Sequence, residues 1–180
     1  MAGTVTLKMI VAMTKCRGIG KSGGIPWYYS QDLKRFRKLT SGCPIIMGRT
    51  TWESLPKQPL PNRLNIILTR NPESIIPMCD GMAVATSPEE AIQLAKDYYQ
   101  TQSTSNLSHS DTWVIGGQAV YETFIHSPLL SHIDCTIVPD DCECDTFFVQ
   151  IPTRFVKVNT SETILSNCKL IHEQYSHHQA

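Results

Sequence analysis

Apolar and polar positions alternate along this chain in a repeating order: a short apolar run, a stretch with helical spacing, then another apolar run. Residues 7–13 are apolar apart from Lys8, which predicts a buried strand. Residues 30–40 predict a helix with Ser30 as N-cap, in which Asp32 and Phe36 lie one turn apart and Leu33 sits beside them. Lys34, Arg35, Arg37 and Lys38 fall on its other sides and are expected in solvent. Residues 44–47 predict a short strand, and 50–55 a helix that stops before Pro56. Residues 64–69 and 82–85 predict strands. Ser87-Pro88-Glu89-Glu90 is a capping box with proline at the first helical position, and Ala91, Leu94, Ala95, Tyr98 and Tyr99 form the apolar face of the helix it opens. A strand over 112–115, a helix over 117–126 and a strand over 134–138 follow, and 155–158 and 169–175 predict closing strands. Apolar strands alternating with helices predict an α/β domain whose mostly parallel sheet is covered on both faces. Residues 100–111, polar apart from Leu107, predict a surface loop.

Composition narrows this picture. A hydrophobic share of 41% in 180 residues suffices for one folded core and excludes a disordered chain. Sixteen Lys+Arg balance sixteen Asp+Glu, so there is no global attraction to nucleic acid or an anionic membrane, and any anion site must be local. Seven scattered cysteines without a CxxC pair, and no secretory signal pattern at the start, predict a cytoplasmic chain with reduced thiols. Cys142-Glu143-Cys144 lacks the second ligand pair of a zinc site, so no metal is expected.

In an open α/β sheet, ligands bind where strands end and helices begin. Three such junctions carry unusual residues. At Met47-Gly48-Arg49-Thr50-Thr51-Trp52-Glu53, glycine lets the backbone turn, Thr50 and Glu53 are spaced as a capping box, and Arg49 can fork onto a phosphate. The Gly116-Gly117 pair after Val114-Ile115 permits positive φ and a close approach of backbone to a ligand. Thr69-Arg70 ends a third strand with a hydroxyl and a guanidinium suited to a phosphate monoester. Alone, the first two are equally well an ordinary capped helix with a solvated arginine and a tight turn, and the third reads better as a surface arginine at a strand end. Together they suggest an extended dinucleotide across the sheet. Asp32 shares its helix face with Leu33 and Phe36, as either a surface residue near the helix start or a buried carboxylate awaiting a cationic partner. The preceding loop, residues 18–27, with four glycines, two isoleucines and Pro26-Trp27, reads as a mobile flap.

These residues, in this order, resemble dihydrofolate reductases over nearly the whole chain. The likeness is carried by Ile10-Val11-Ala12, Gly18-Ile19-Gly20, Gly24-Ile25-Pro26-Trp27, Asp32-Leu33 with Phe36, Met47-Gly48-Arg49-Thr50-Thr51-Trp52-Glu53-Ser54, Pro59-Leu60-Pro61 with Arg63, Asn65-Ile66-Ile67-Leu68-Thr69-Arg70, Ile115-Gly116-Gly117 with Val120-Tyr121, Thr136, and Asp145-Thr146-Phe147-Phe148. The resemblance implies a single-domain fold with a mixed, mostly parallel sheet of about eight strands, helices on both faces and an antiparallel C-terminal strand. It implies NADPH-dependent reduction of 7,8-dihydrofolate to tetrahydrofolate, with hydride transfer to pterin C6 and protonation of N5 through water, feeding one-carbon and thymidylate metabolism. Asp32, Thr136 and Trp27 would be the catalytic positions. Asp32 would hold the pterin through both carboxylate oxygens, with Thr136 supporting it. Burial would raise the pKa of Asp32 and the helix start would lower it, leaving the net direction open.

By the same resemblance, Ile10, Val11, Leu33, Phe36, Leu55, Leu60, Ile115 and Tyr121 would line the pocket, and Arg63 would bind the α-carboxylate of the glutamate tail. Ala12, Ile19 and Gly20 would approach the nicotinamide. Arg49, Thr50, Thr51, Leu68, Thr69 and Arg70 would take the adenosine side, and Gly116, Gly117, Gln118, Ala119 and Val120 would cradle the pyrophosphate, with a cis peptide between the two glycines. Methotrexate-like antifolates would bind at Asp32. The chain is expected to be monofunctional and monomeric, without nucleic-acid or membrane partners. Departures from the pattern are an aspartate at 32, where vertebrate members carry glutamate, the Ser22-Gly23-Gly24-Ile25 flap, the polar loop, and Val138-Pro139-Asp140-Asp141. Two rivals stand beside this reading: a different NADPH reductase of pterin or pyrimidine chemistry on the same fold, such as that of riboflavin synthesis, and a folate-binding module without catalysis.

Overall fold

The computed structural model describes residues 5–75, 79–102 and 110–177. In chain order the elements are β1 (Thr6–Met13), β2 (Gly18–Gly20), α1 (Ser30–Thr40), β3 (Pro44–Gly48), α2 (Arg49–Ser54), β4 (Leu64–Leu68), a 3-10 turn (Pro72–Ser74), β5 (Met82–Ala85), α3 (Pro88–Thr101), β6 (Asp111–Gly116), α4 (Gln118–Phe124), β7 (Leu130–Ile137), β8 (Thr146–Phe147), β9 (Phe155–Ile164) and β10 (Lys169–His177). Eight strands form one sheet in the order β5-β4-β3-β6-β1-β7-β10-β9. The pairs from β5 to β7 are parallel, and β10 runs antiparallel to both β7 and β9.

Strand alternation sorts the core into two layers. Leu7, Met9, Val11, Ile46, Ile66 and Val114 face one side and pack with Ala91 and Ala95 of α3 and Val120, Tyr121 and Phe124 of α4. Ile10, Ile45, Met47, Ile67 and Trp113 face the other, where Phe36 and Leu39 of α1, Trp52 of α2 and Leu55 just after it cover them. β1 lies at the centre of the sheet, which is why its run is apolar on both faces.

Several expectations shift at element ends. Ser30 does not cap α1: the N-cap is Tyr29, with no side-chain bond, and the Ser30 hydroxyl donates to Gln31 Oε1 instead. Thr50 and Glu53 form no capping box, because α2 begins one residue earlier, after Gly48, and Glu53 accepts from Arg49 at 2.6 Å. At α3 the box holds: Glu90 N–H donates to Ser87 Oγ at 3.1 Å, and Glu90 Oε2 accepts from the Thr86 amide at 2.7 Å. The helix expected from Gly117 starts at Gln118 and ends at Phe124. Of the proposed loop 100–111, the first two residues belong to α3 and Asp111 opens β6, while 103–109 lie outside the described residues. Among the described residues no helix is long and apolar enough to cross a membrane, and the seven cysteines form no disulfide.

Candidate active site

The carboxyl ends of β1, β3, β4 and β6 open toward the first turns of α1, α2 and α4, and most of the sequence-derived candidates gather there. Asp32 stands in the first turn of α1 and is partly buried. Burial pushes its carboxyl above the ordinary carboxylate value. Thr136, acting as a hydrogen-bond partner, pulls it down most strongly, followed by the charges of His172 and Arg35, while Asp134 pushes it up. The net direction that the sequence left open is therefore upward. Among the described residues no cation lies at salt-bridge distance from Asp32.

One turn along α1, the Phe36 ring is followed by the Arg63 guanidinium, 5.7 Å from its centroid. Arg63 is buried, donates to Thr40 Oγ1 at 2.8 Å and to the Pro61 carbonyl at 3.1 Å, and has no carboxylate at salt-bridge distance among the described residues. Burial and the neighbouring Arg37 push its pKa down. Ile10, Phe36, Leu55, Leu60 and Ile115 belong to one apolar cluster between these two charges. Leu33 is 48% exposed at the same end of α1, and Ile25 and Tyr28 in the preceding loop are more exposed still. Trp27 is partly buried in that loop.

Two candidates for the pocket wall sit elsewhere. Val11 alternates away from Ile10 and packs in the opposite layer. Tyr121 is buried behind the wall: its hydroxyl donates to the Ile10 carbonyl at 2.7 Å and its ring meets Phe148 edge-on, 4.9 Å between centroids. Ile10 packs in the other layer, with Trp52 and Leu55.

At the other junctions the Gly116-Gly117 peptide is cis. Gly116 has φ +122, and a Cβ there would come within 3.2 Å of the Tyr121 hydroxyl; one on Gly117 would come within 3.2 Å of Thr51 Oγ1. The close approach that demands glycine is thus to the protein's own side chains. Arg49, Thr50 and Arg70 are exposed, Thr51 is partly buried, and Arg49 is paired with Glu53. Thr69 is buried and its hydroxyl accepts from the Asn71 amide at 3.2 Å. Leu68, Ile19 and Ala12 are partly buried, Gly20 and Val120 are buried, and Ala119 is exposed. Gln118 Oε1 accepts from the Phe147 amide at 3.2 Å.

The loop read as a mobile flap is tied down in this conformation. β2 pairs antiparallel with β8, the Ser22 amide donates to Asp145 Oδ2 at 2.7 Å, and the Asp145 amide donates to the Gly20 carbonyl at 3.0 Å.

Sequence reasoning missed the polar group behind Asp32. Arg35, expected in solvent, grips the buried Asp134 with both guanidinium nitrogens, one at 2.7 Å. Gln174 Nε2 donates to the same carboxylate at 3.0 Å. His172 is 5% exposed between Thr136 and Thr163. The only signal in the sequence was a histidine at an inward position of β10, two residues after Leu170.

Comparisons with known proteins agree with this geometry. The family model described as "Dihydrofolate reductase" matches residues 6–178. A dihydrofolate reductase of Pneumocystis carinii is 36% identical over 155 residues, covering 79% of this chain and 73% of that protein. One of Aedes albopictus is 35% identical over 165 residues, covering 87% and 86%. A bifunctional dihydrofolate reductase-thymidylate synthase of Paramecium tetraurelia is 33% identical over 168 residues, covering 93% of this chain and 33% of that protein. Among solved structures, a dihydrofolate reductase from Enterococcus faecalis, complexed with NADP(H) and RAB-propyl, superimposes with TM-score 0.81 at 29% identity, covering 99% of this chain and all of that one. With an eight-stranded sheet of this order and a partly buried aspartate opening α1, the chain belongs to the dihydrofolate reductase family.

Proposed function

We propose that this protein reduces 7,8-dihydrofolate to tetrahydrofolate with NADPH. The observation that carries the reading is the order Asp32–Phe36–Arg63: a carboxyl and a buried guanidinium, each without an ion-pair partner among the described residues, with an aromatic ring between them. That order matches a pterin with ring N–H donors, a flat aromatic middle and a carboxylate tail. It also favours a tailed substrate over the pyrimidine-linked alternative, which offers Arg63 no carboxylate.

The residues near the cofactor junctions fit a polyanionic dinucleotide. Arg49, Arg70, Thr50 and Thr51 supply cations and hydroxyls, Glu53 is the acid paired among them, and the first turns of α2 and α4 leave backbone N–H groups unbonded within the helix. Arg70, with Thr69, suits the 2′-phosphate, and Gly116 to Val120 the pyrophosphate. When bound, NADPH supplies the hydride that reduces pterin C6.

The chain's own residues then orient and exclude. Asp32 accepts hydrogen bonds from the pterin through both oxygens, and the apolar cluster of Ile10, Phe36, Leu55, Leu60 and Ile115 fixes the ring plane. By the family resemblance Asp32 would sit away from N5, so the proton for that atom would come through water admitted beside the flap, drawn by the carboxylate's field. The pairing of β2 with β8 holds the start of that loop in place. Methotrexate-like antifolates would meet the same carboxylate through a protonated diaminopteridine. We place the activity in the cytoplasm, in keeping with seven unpaired cysteines.

The test is spectrophotometric: NADPH oxidation by the purified protein with dihydrofolate, and with a dihydropterin lacking the glutamate tail. Turnover of the first with a much lower KM than the second supports the reading. Equal KM values would remove Arg63 from it, and no oxidation with either would leave a binding module.

A further inference from the structure

Behind Thr136, the residue expected to support Asp32, runs a chain of polar side chains that the proposed reaction leaves unused. Thr136 on β7 is the neighbour that lowers the Asp32 carboxyl most strongly against its burial. Its Oγ1 lies 3.1 Å from His172 Nδ1, and His172 Nε2 lies 2.8 Å from Thr163 Oγ1 on β9. The imidazole is 5% exposed and bonded at both nitrogens, so it is a built site and not a packing residue that happens to be polar. The charged groups acting on it are Asp32 and Arg35 from α1 and Asp134 from β7; from β9 the facing group is the neutral Thr163.

Donor and acceptor capacity fixes the direction of this chain. An ionised Asp32 can only accept, so a Thr136 hydroxyl turned toward it donates and must accept on its other side. His172 therefore carries its proton on Nδ1, and its bare Nε2 accepts from Thr163. Protonating the imidazole reverses only the outer bond: Nε2–H then donates to Thr163, while Nδ1–H still donates to Thr136. With the proton on Nε2 alone, Thr136 would turn its hydroxyl toward Nδ1 and away from Asp32.

We propose that His172 is a positioning residue for Asp32: clamped by Thr163, its imidazole holds the Thr136 hydroxyl in the orientation that donates to the Asp32 carboxylate. The inference rests on the reading of Asp32 as the pterin's anchor. Its consequence is that the carboxyl is kept ionised to lower pH than its burial alone would allow. The influences of Thr136 and His172 on Asp32 both have that sign, and Asp32 in turn raises the pKa of His172, which burial and Arg35 lower.

The experiment compares wild type, His172→Phe, which fills the space without polar atoms, and His172→Asn, whose amide can donate toward Thr136 without titrating. Carbon-13 NMR of the aspartate carboxyls, with Asp32→Asn to assign the signal, follows the ionisation of Asp32 directly. The expected result is an upward move of the Asp32 titration in His172→Phe, with kcat/KM for dihydrofolate about tenfold lower and NADPH affinity unchanged, and a return toward wild type on both counts in His172→Asn. Identical Asp32 titrations in all three proteins would overturn the proposal. So would an equal loss in both variants that follows thermal stability. Should neither variant fold, the His172 C2–H signal decides: its titration must move to lower pH in Asp32→Asn, and an unmoved titration overturns the coupling. A wild type that does not oxidise NADPH with dihydrofolate refutes the functional reading while leaving these titrations to judge the coupling by itself.

Discussion

The two ends of the cleft recognise charge by opposite means. At the end proposed for the pterin, a single carboxyl is partly buried and raised in pKa, beside the hydrogen-bonded group of Thr136, His172 and Thr163. At the end proposed for the cofactor, Arg49, Thr50 and Arg70 are exposed near two glycines that carry no side chain at all. A partly desolvated charge acts strongly and with fixed direction, but burial opposes its ionisation. Exposed cations stay solvated, and their attraction is weakened by salt. The first arrangement suits a step in which orientation decides the rate; the second suits retention of a large anion by the sum of modest contacts.

The largest effect should come from Asp32→Asn, with kcat for dihydrofolate falling roughly 10²–10⁴-fold while NADPH binding, followed by fluorescence, stays close to wild type. The same variant should be more stable at neutral pH. The folded-state pKa of Asp32 lies above the unfolded value, so the native state keeps its proton longer, and stability falls as pH rises through the window between the two. An amide removes that loss, and a melting temperature below wild type at pH 7 would contradict the burial argument. Next is Arg63→Gln, expected to raise KM for dihydrofolate about tenfold to a hundredfold while leaving a tail-less pterin unaffected. Losses of the same size for both substrates would mean that Arg63 only supports the fold, through Thr40 and Phe36.

Arg70→Ala sharpens the comparison from the other end. NADPH affinity should fall about tenfold and NADH affinity hardly at all, and the wild-type preference itself should shrink as salt is added. A salt-independent preference would assign the discrimination to buried groups. The smallest effect lies outside both ends. Ser87→Ala removes the N-cap of α3 and should cost about 1 kcal/mol in denaturant unfolding with kinetics unchanged.

Much of the fold was legible because strand and helix periods differ so clearly here. α1 and β5 have the predicted bounds, and α3 begins where the Ser87-Pro88 signal placed it. The misreadings were local ones. At α2, glycine with extended backbone served as N-cap where a threonine was expected, since the strand before it leaves Gly48 as the last residue outside the helix. β9 extended well past its apolar start, because an edge strand with exposed polar residues gives no apolar run to detect. The β2–β8 pairing was invisible for another reason: three residues and two residues carry too little pattern, and their pairing spans most of the chain.

By itself the sequence determined the alternation of strands and helices, the three strand-end junctions and the aspartate one turn from Phe36, because these are matters of spacing within a single element. Only the tertiary structure decided what surrounds that aspartate. Arg35 pairs with a residue 99 positions away, and Thr136 meets His172 across 36. No local period links such partners; the sheet order alone brings β7, β10 and α1 together. The direction of the pKa shift at Asp32 was set there too, since burial and the opposing pull of Thr136 and His172 depend on which strands lie beneath the helix.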